Sequence, residues 1–142
     1  MTPARLKILF VDDQKTLLNA VERVVRRQAS DWDVHFADSA DRALAILDDH
    51  PVDVVVSDMR MPGMDGVELL QNVRDQHPNV IRFILSGHAR AQRSIEAVRV
   101  AHQYFIKPFS TRDLIDALAL THSLYKKIRN PGLQGLIASI DR

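Results

Sequence analysis

Five short apolar runs alternate with longer stretches of helical spacing, and that alternation leaves the chain few folds. The runs are KILFV (7–11), WDVHFA (32–37), VDVVVS (52–57), VIRFILS (80–86) and HQYFIK (102–107). Each is short, rich in β-branched or aromatic residues and bounded by turn formers, as a buried strand requires. Between them, residues 15–28 place Leu17, Leu18, Val21, Val24 and Val25 on one helical face. ADRALAILDD (40–49) reads as a helix capped by Asp38 or Ser39. Asp65 with Glu68 three residues on reads as a capping box, opening a helix through about Gln76 that ends before Pro78. Residues 91–99 predict a weaker helix, and Ser110 caps one that runs over 111–129. Strands joined through helices run parallel and need helices on both faces. The expected architecture is therefore α/β: a (βα)5 doubly wound, five-stranded parallel sheet with an extended C-terminal helix. One domain over residues 1–120 is expected, with 121–142 as a helical extension or linker.

Composition narrows the function. A net charge of +1 gives no bulk attraction to nucleic acid or to an anionic membrane surface. The absence of cysteine removes disulfides and thiolate metal sites. With 46% hydrophobic and 26% charged residues the chain fits a soluble globular domain, expected in the cytoplasm. No apolar run is long enough to span a bilayer.

Open parallel sheets bind ligands at the carboxyl ends of their strands. Asp12 and Asp13 follow the first run, Asp58 the third, Ser86 and Gly87 the fourth, and Lys107 and Pro108 the fifth. Asp12 and Asp13 alone would read as helix caps, and any one of the others as a solvated loop residue. Together they bring three carboxylates, a hydroxyl and an ammonium to one rim. Three carboxylates stay ionised side by side only if a cation neutralises them. Oxygen-only ligation with room for water favours Mg²⁺ over Ca²⁺. Such a site suits phosphoryl transfer to a carboxylate nucleophile.

FVDD (10–13), VVSDMRMPGMDG (55–66), LSG (85–87) and YFIKPF (104–109) closely resemble the receiver domain of bacterial two-component response regulators. The resemblance covers about residues 6–120 and implies a flavodoxin/CheY-like sheet. It implies that Asp58 is the phosphoacceptor, and that Asp13 holds Mg²⁺ directly and Asp12 largely through water. Asp58 itself and the backbone carbonyl of Arg60 complete the protein ligands. Lys107 would contact the phosphoryl group. Ser86 takes the hydroxyl position and Tyr104 the aromatic switch position. Arg60 and His88 sit where the family tunes access of the hydrolytic water. A sensor histidine kinase or phosphotransfer protein is the implied donor. The implied output surface is made by the helix over 91–99, the fifth strand and the helix from Thr111, a surface through which receivers form homodimers. A weaker resemblance, carried by VSDMRMPGMDG, ILSGHA, VAHQYFIKP and KKIRNPGLQGLIASI, is to receivers fused to HDOD output domains, relatives of HD phosphohydrolases.

Three other classes compete. A haloacid-dehalogenase-like phosphatase needs a second acid two residues after its nucleophile, where this chain has Arg60. A nucleotide or flavin binder wants a glycine-rich loop after the first strand, where this chain has DDQKT. A pseudo-receiver that only binds proteins usually lacks an acid or the lysine, and this chain keeps them all. At the C-terminus, Leu114, Leu118, Thr121, Tyr125 and Ile128 fall at coiled-coil spacing, which allows either a signalling helix or packing on the domain itself.

Overall fold

A computed structural model describes residues 5–29, 31–86, 97, 99–106 and 110–127 of the protein, residues 106, 122 and 125–127 by backbone alone. The apolar runs form β1 (Lys7–Val11), β2 (Asp33–Ala37), β3 (Val54–Asp58), β4 (Ile81–Ser86) and β5 (Gln103–Ile106). All pair in parallel, in the order β2-β1-β3-β4-β5. The helices are α1 (Lys15–Gln28), α2 (Ala40–Asp49), α3 (Gly66–Gln76) and α4 (Thr111–Lys127). The chain steps from β1 outward to β2 and then returns across β1 to β3. The strand order therefore reverses between β1 and β3, where sheets of this kind open a crevice for ligands.

Alternate strand residues feed two cores. Leu9, Val11, Val55 and Ile84 pack with α2, α3, Ala97 and Val100 on one face. Ile8, Phe10, Val54, Val56, Phe83 and Leu85 pack with α1 and α4 on the other. β3 and β4 are buried along their whole length, as central parallel strands covered on both faces must be.

Local signals hold with small shifts. Ser39 caps α2 by accepting from the Arg42 N–H at 3.2 Å, and Asp65 caps α3 by accepting from the Glu68 N–H at 2.9 Å. Ser110 caps α4 by accepting from the Asp113 N–H at 2.9 Å. β3 runs one residue further than its sequence suggested, so Asp58 is the last strand residue rather than the first of a loop. Of the helix expected over 91–99, Ala97 and Arg99 fall within the described residues, and both are helical, as is Val100.

The first two positions of the heptad pattern in α4 belong to the domain core, whereas the Tyr125 side chain and Ile128 lie outside the described residues. Leu114 and Leu118 are fully buried against the sheet. Burying a leucine contributes roughly 1.5–3 kcal/mol, and these two already realise it within the domain. The Thr121 hydroxyl bonds back to the Ala117 carbonyl at 2.8 Å. Among the described side chains of α4, the large exposed apolar ones are Leu120 and Leu124, off the expected seam.

One residue breaks the apolar pattern of β4. Arg82 is wholly buried at the amino-terminal end of the strand. Its pKa falls to about 10, first because burial disfavours the charged form and second because Arg74 lies near. It remains protonated at neutral pH. The burial cost is fully present there and is relieved only as pH rises through about 10.

Candidate acidic site

Asp12, Asp13 and Asp58 converge at the carboxyl ends of β1 and β3. One carboxylate oxygen from each lies within 4.8 Å of the other two. Asp12 and Asp58 are buried, at 1% and 6% exposure, while Asp13 faces solvent. The register explains the meeting. Val11 pairs with Ser57 across β1 and β3, so the next residues, Asp12 and Asp58, come side by side.

Each acid is held from its backbone outward. The Asp12 N–H donates to the Ala37 carbonyl at 3.1 Å, which extends the β1–β2 ladder into the site. Its Oδ1 accepts from the Gln14 N–H at 2.8 Å, just ahead of α1. The helix cap itself is Gln14, which makes no side-chain cap bond, so neither Asp12 nor Asp13 is the N-cap of α1. Asp58 pairs with Leu85 of β4, and the Met59 N–H continues that ladder to the Leu85 carbonyl at 2.7 Å. The Ser57 hydroxyl donates to the Asp58 carbonyl at 2.9 Å.

The segment after β3 folds tightly back over Asp58. Met59 and Met61 are buried, and Gly63 turns the chain at φ 76°. The Gly66 N–H then donates to the Met59 carbonyl at 2.9 Å as α3 begins. A Cβ at Gly66 would lie 2.0 Å from the Asp58 carbonyl oxygen and 2.8 Å from its carbon. Only glycine lets α3 start this close to the end of β3. The role of Gly66 was hidden in the sequence, where Asp65-Gly66 reads as ordinary capping.

The remaining expected site residues divide. Ser86 ends β4, buried at 1% exposure, one position beyond the partner of Asp58. Tyr104 lies on β5 opposite Ile84, half-buried against the core face that holds Ala97 and Val100. Arg60 is exposed in the loop after Asp58. Gly87, His88, Lys107 and Pro108 lie outside the described residues.

An open groove of about 380 Å³ lies along α1, lined by Thr16, Asn19, Glu22, Arg23 and Arg26, and contains none of the three acids. At 4.8 Å two carboxylates repel by roughly 3 kcal/mol at an effective dielectric of about 20, which applies to the buried pair Asp12 and Asp58. The donor set is entirely hard oxygen and partly open to water, which fits Mg²⁺ and would suit a soft metal poorly.

A doubly wound parallel sheet with three acids at its β1/β3 switch point is the arrangement that the resemblance to receiver domains implies. Comparison with known proteins agrees. Residues 8–119 match the response regulator receiver domain family, and the chain belongs to that family. It is 33% identical, over 143 aligned positions, to the hydrogenase transcriptional regulatory protein HoxA of Cupriavidus necator, covering 99% of this chain and 28% of HoxA. It is 30% identical to the regulatory protein AtoC of Escherichia coli over 128 positions, 87% of this chain and 27% of AtoC. The chain thus spans between a quarter and a third of these relatives. Among solved structures, the receiver domain of an HD domain-containing protein from Pseudomonas fluorescens superposes with a TM-score of 0.78 at 29% identity, covering 89% of this chain and 100% of that one. A CheY-like receiver from Methanospirillum hungatei superposes with a TM-score of 0.80, covering 87% of this chain and 98% of that one; at 24% identity it attests the fold alone. No helix among the described residues is long and apolar enough to cross a membrane.

Proposed function

We propose that this receiver is a switch that accepts a phosphoryl group on Asp58 from a sensor histidine kinase or a phosphotransfer protein. The observation that carries the reading is the convergence of Asp12, Asp13 and Asp58 at the switch point of the sheet. A carboxylate oxygen of Asp58 attacks phosphorus as the bond from phosphorus to the donor nitrogen breaks, and the electron pair leaves on the donor. Asp12, Asp13, Asp58 and, by the resemblance, the backbone carbonyl of Arg60 would hold Mg²⁺, which would supply positive charge to offset that on the phosphoryl oxygens. By the resemblance already drawn, Lys107 would contact the same oxygens. Hydrolysis returns Asp58 to a free carboxylate, so the domain times a signal rather than turning over substrates. With Arg60 two residues past Asp58, the second acid that a turnover phosphatase would need is missing.

The acyl phosphate carries about 1.5–2 negative charges where the Asp58 carboxylate carried one, so negative charge grows beside Ser86. The Ser86 hydroxyl moves toward the new oxygens and Tyr104 turns inward, which remodels the surface that includes Arg99, β5 and α4. That surface then acts on an output domain or pairs with a second copy. An HD-type output is supported by the receiver of an HD domain-containing protein among the structural neighbours.

Incubation with acetyl phosphate and Mg²⁺ is expected to add a single phosphoryl group by intact mass. Chelation and Asp58→Asn should each abolish it; uptake that persists in Asp58→Asn would sink the reading. Arg60 sets the lifetime of the adduct. The exposed guanidinium covers the phosphoryl group or pairs with it, so Arg60→Asn should change the dephosphorylation rate and leave Mg²⁺ affinity intact. An unchanged half-life, followed by mass after donor removal, would refute that role.

A further inference from the structure

Among the described residues, Arg82 is a buried cation that lies away from the acidic site. It lies at the amino-terminal end of β4, and Asp58 at the carboxyl end of β3 next to it, so the length of the sheet separates them. Its Nε donates to the Val100 carbonyl at 2.7 Å, and its Nη1 to the Val80 carbonyl at 3.1 Å. Val100 is the last helical residue of the turn that leads into β5, a turn closed by the Ala101 N–H on the Ala97 carbonyl at 2.9 Å. A guanidinium on the last carbonyl of a helix satisfies a group that has no intrahelical donor and complements the negative helix end. The Arg82 backbone makes a second tie. Its N–H donates to His102 Nδ1 at 3.0 Å, and its carbonyl accepts from the His102 N–H at 2.7 Å. The His102 imidazole stands in for a backbone acceptor just before the β4–β5 ladder begins at Phe83 and Gln103.

Three of these four bonds join β4 to residues 100–102. This junction stands between Ala97 and Tyr104, both packed in the core face next to the expected switch surface. A buried charge is costly to keep, and an apolar residue of similar volume would often serve stability as well. Stability alone therefore does not account for an arginine here.

We propose that Arg82 is a positioning residue of the switch, pinning the carboxyl-terminal end of the 97–100 turn and the start of β5 to the base of β4. Rearrangement that begins at Ser86 and Tyr104 then reaches the turn as a pivot about a fixed end. The pinning stands on the resting structure; the pivot rests on the reading of Asp58 as phosphoacceptor.

Amide hydrogen exchange followed by NMR tests both parts. In the unphosphorylated wild type, the Ala101 and His102 amides should exchange as slowly as those of β4; exchange at exposed-loop rates would overturn the pinning. In Arg82→Met they should exchange at least about tenfold faster while Phe83 and Ile84 stay protected, and Arg82→Lys should recover part of the protection. Exchange within twofold of wild type in Arg82→Met would overturn the pinning. If that variant does not fold, the wild-type rates and Arg82→Lys decide. In protein loaded from acetyl phosphate, exchange at Ala97 and Tyr104 should change while His102 holds. In Arg82→Met the same loading, confirmed by mass, should leave that contrast blurred, with His102 changing as well. A contrast kept in the variant would overturn the pivot. A wild type that takes up no phosphoryl group would refute the reading of Asp58 and leave the resting-state result standing.

Discussion

Gly66→Ala is expected to destabilise the domain by about 3 kcal/mol or more and to weaken Mg²⁺ binding with it. Two effects oppose one another at this position. Gly66 is the first residue of α3, and alanine would gain up to about 1 kcal/mol of helix propensity. Against that, the new Cβ meets the Asp58 carbonyl oxygen at 2.0 Å and the Met59 Cα at 3.0 Å, both backbone atoms that no rotamer change can clear. Either α3 or the end of β3 must move, and Asp58 sits on the part that moves. The clash wins. Gly63→Ala is the control. Its Cβ would meet nothing within 4 Å, and the cost is confined to holding alanine at φ 76°, about 1–2 kcal/mol. Thermal unfolding of both variants checks this: the Gly66 change should lower the midpoint clearly more. Equal losses would mean that the close approach of α3 to β3 is not what glycine provides.

Mg²⁺ should raise the unfolding midpoint of the chelator-treated protein, and Asp12→Asn should both stabilise the metal-free state and shrink that increment. At a hundred times the dissociation constant, a ligand that binds only the folded state adds about 2.7 kcal/mol. Without the ion, the buried pair Asp12 and Asp58 repel, and an amide at position 12 removes one charge while Oδ1 can still accept from Gln14. Loss of that charge should weaken Mg²⁺ affinity by at least about tenfold, or 1.4 kcal/mol. The two effects have opposite signs in one variant, which simple misfolding cannot imitate. An equal Mg²⁺ increment in variant and wild type would remove Asp12 from the metal site.

The sheet was legible because β3 and β4 are buried on both faces and so are mostly apolar, β4 broken only at Arg82 before its terminal Ser86. The acids were legible because parallel strands end together, and a residue just after one strand is a neighbour of the residue just after the next. What stayed hidden depends on distances the chain does not encode locally. Gly66 looks like a turn residue until β3 and α3 are seen to touch. Arg82 sits in an apolar run and gives no sign of the Val100 carbonyl it serves, eighteen residues on. The heptad in α4 left two readings open for the opposite reason. Leu114 and Leu118 have the spacing of a coiled-coil seam, but a helix that covers a sheet has the same period, and burial in the domain took them first. Asp12 and Asp13 resembled caps because acids before a helix usually are, yet the chain enters α1 through Gln14, and both carboxylates instead lie beside Asp58.

The most direct test of the account is to locate the phosphoryl group. After loading from acetyl phosphate with Mg²⁺, borohydride reduction converts an acyl phosphate to the corresponding alcohol, and peptide mass spectrometry finds the altered residue. The account predicts reduction at Asp58 alone, with Asp12 and Asp13 intact. Reduction at either of those acids, or a phosphoryl group found on the Ser57 or Ser86 hydroxyl, would contradict it.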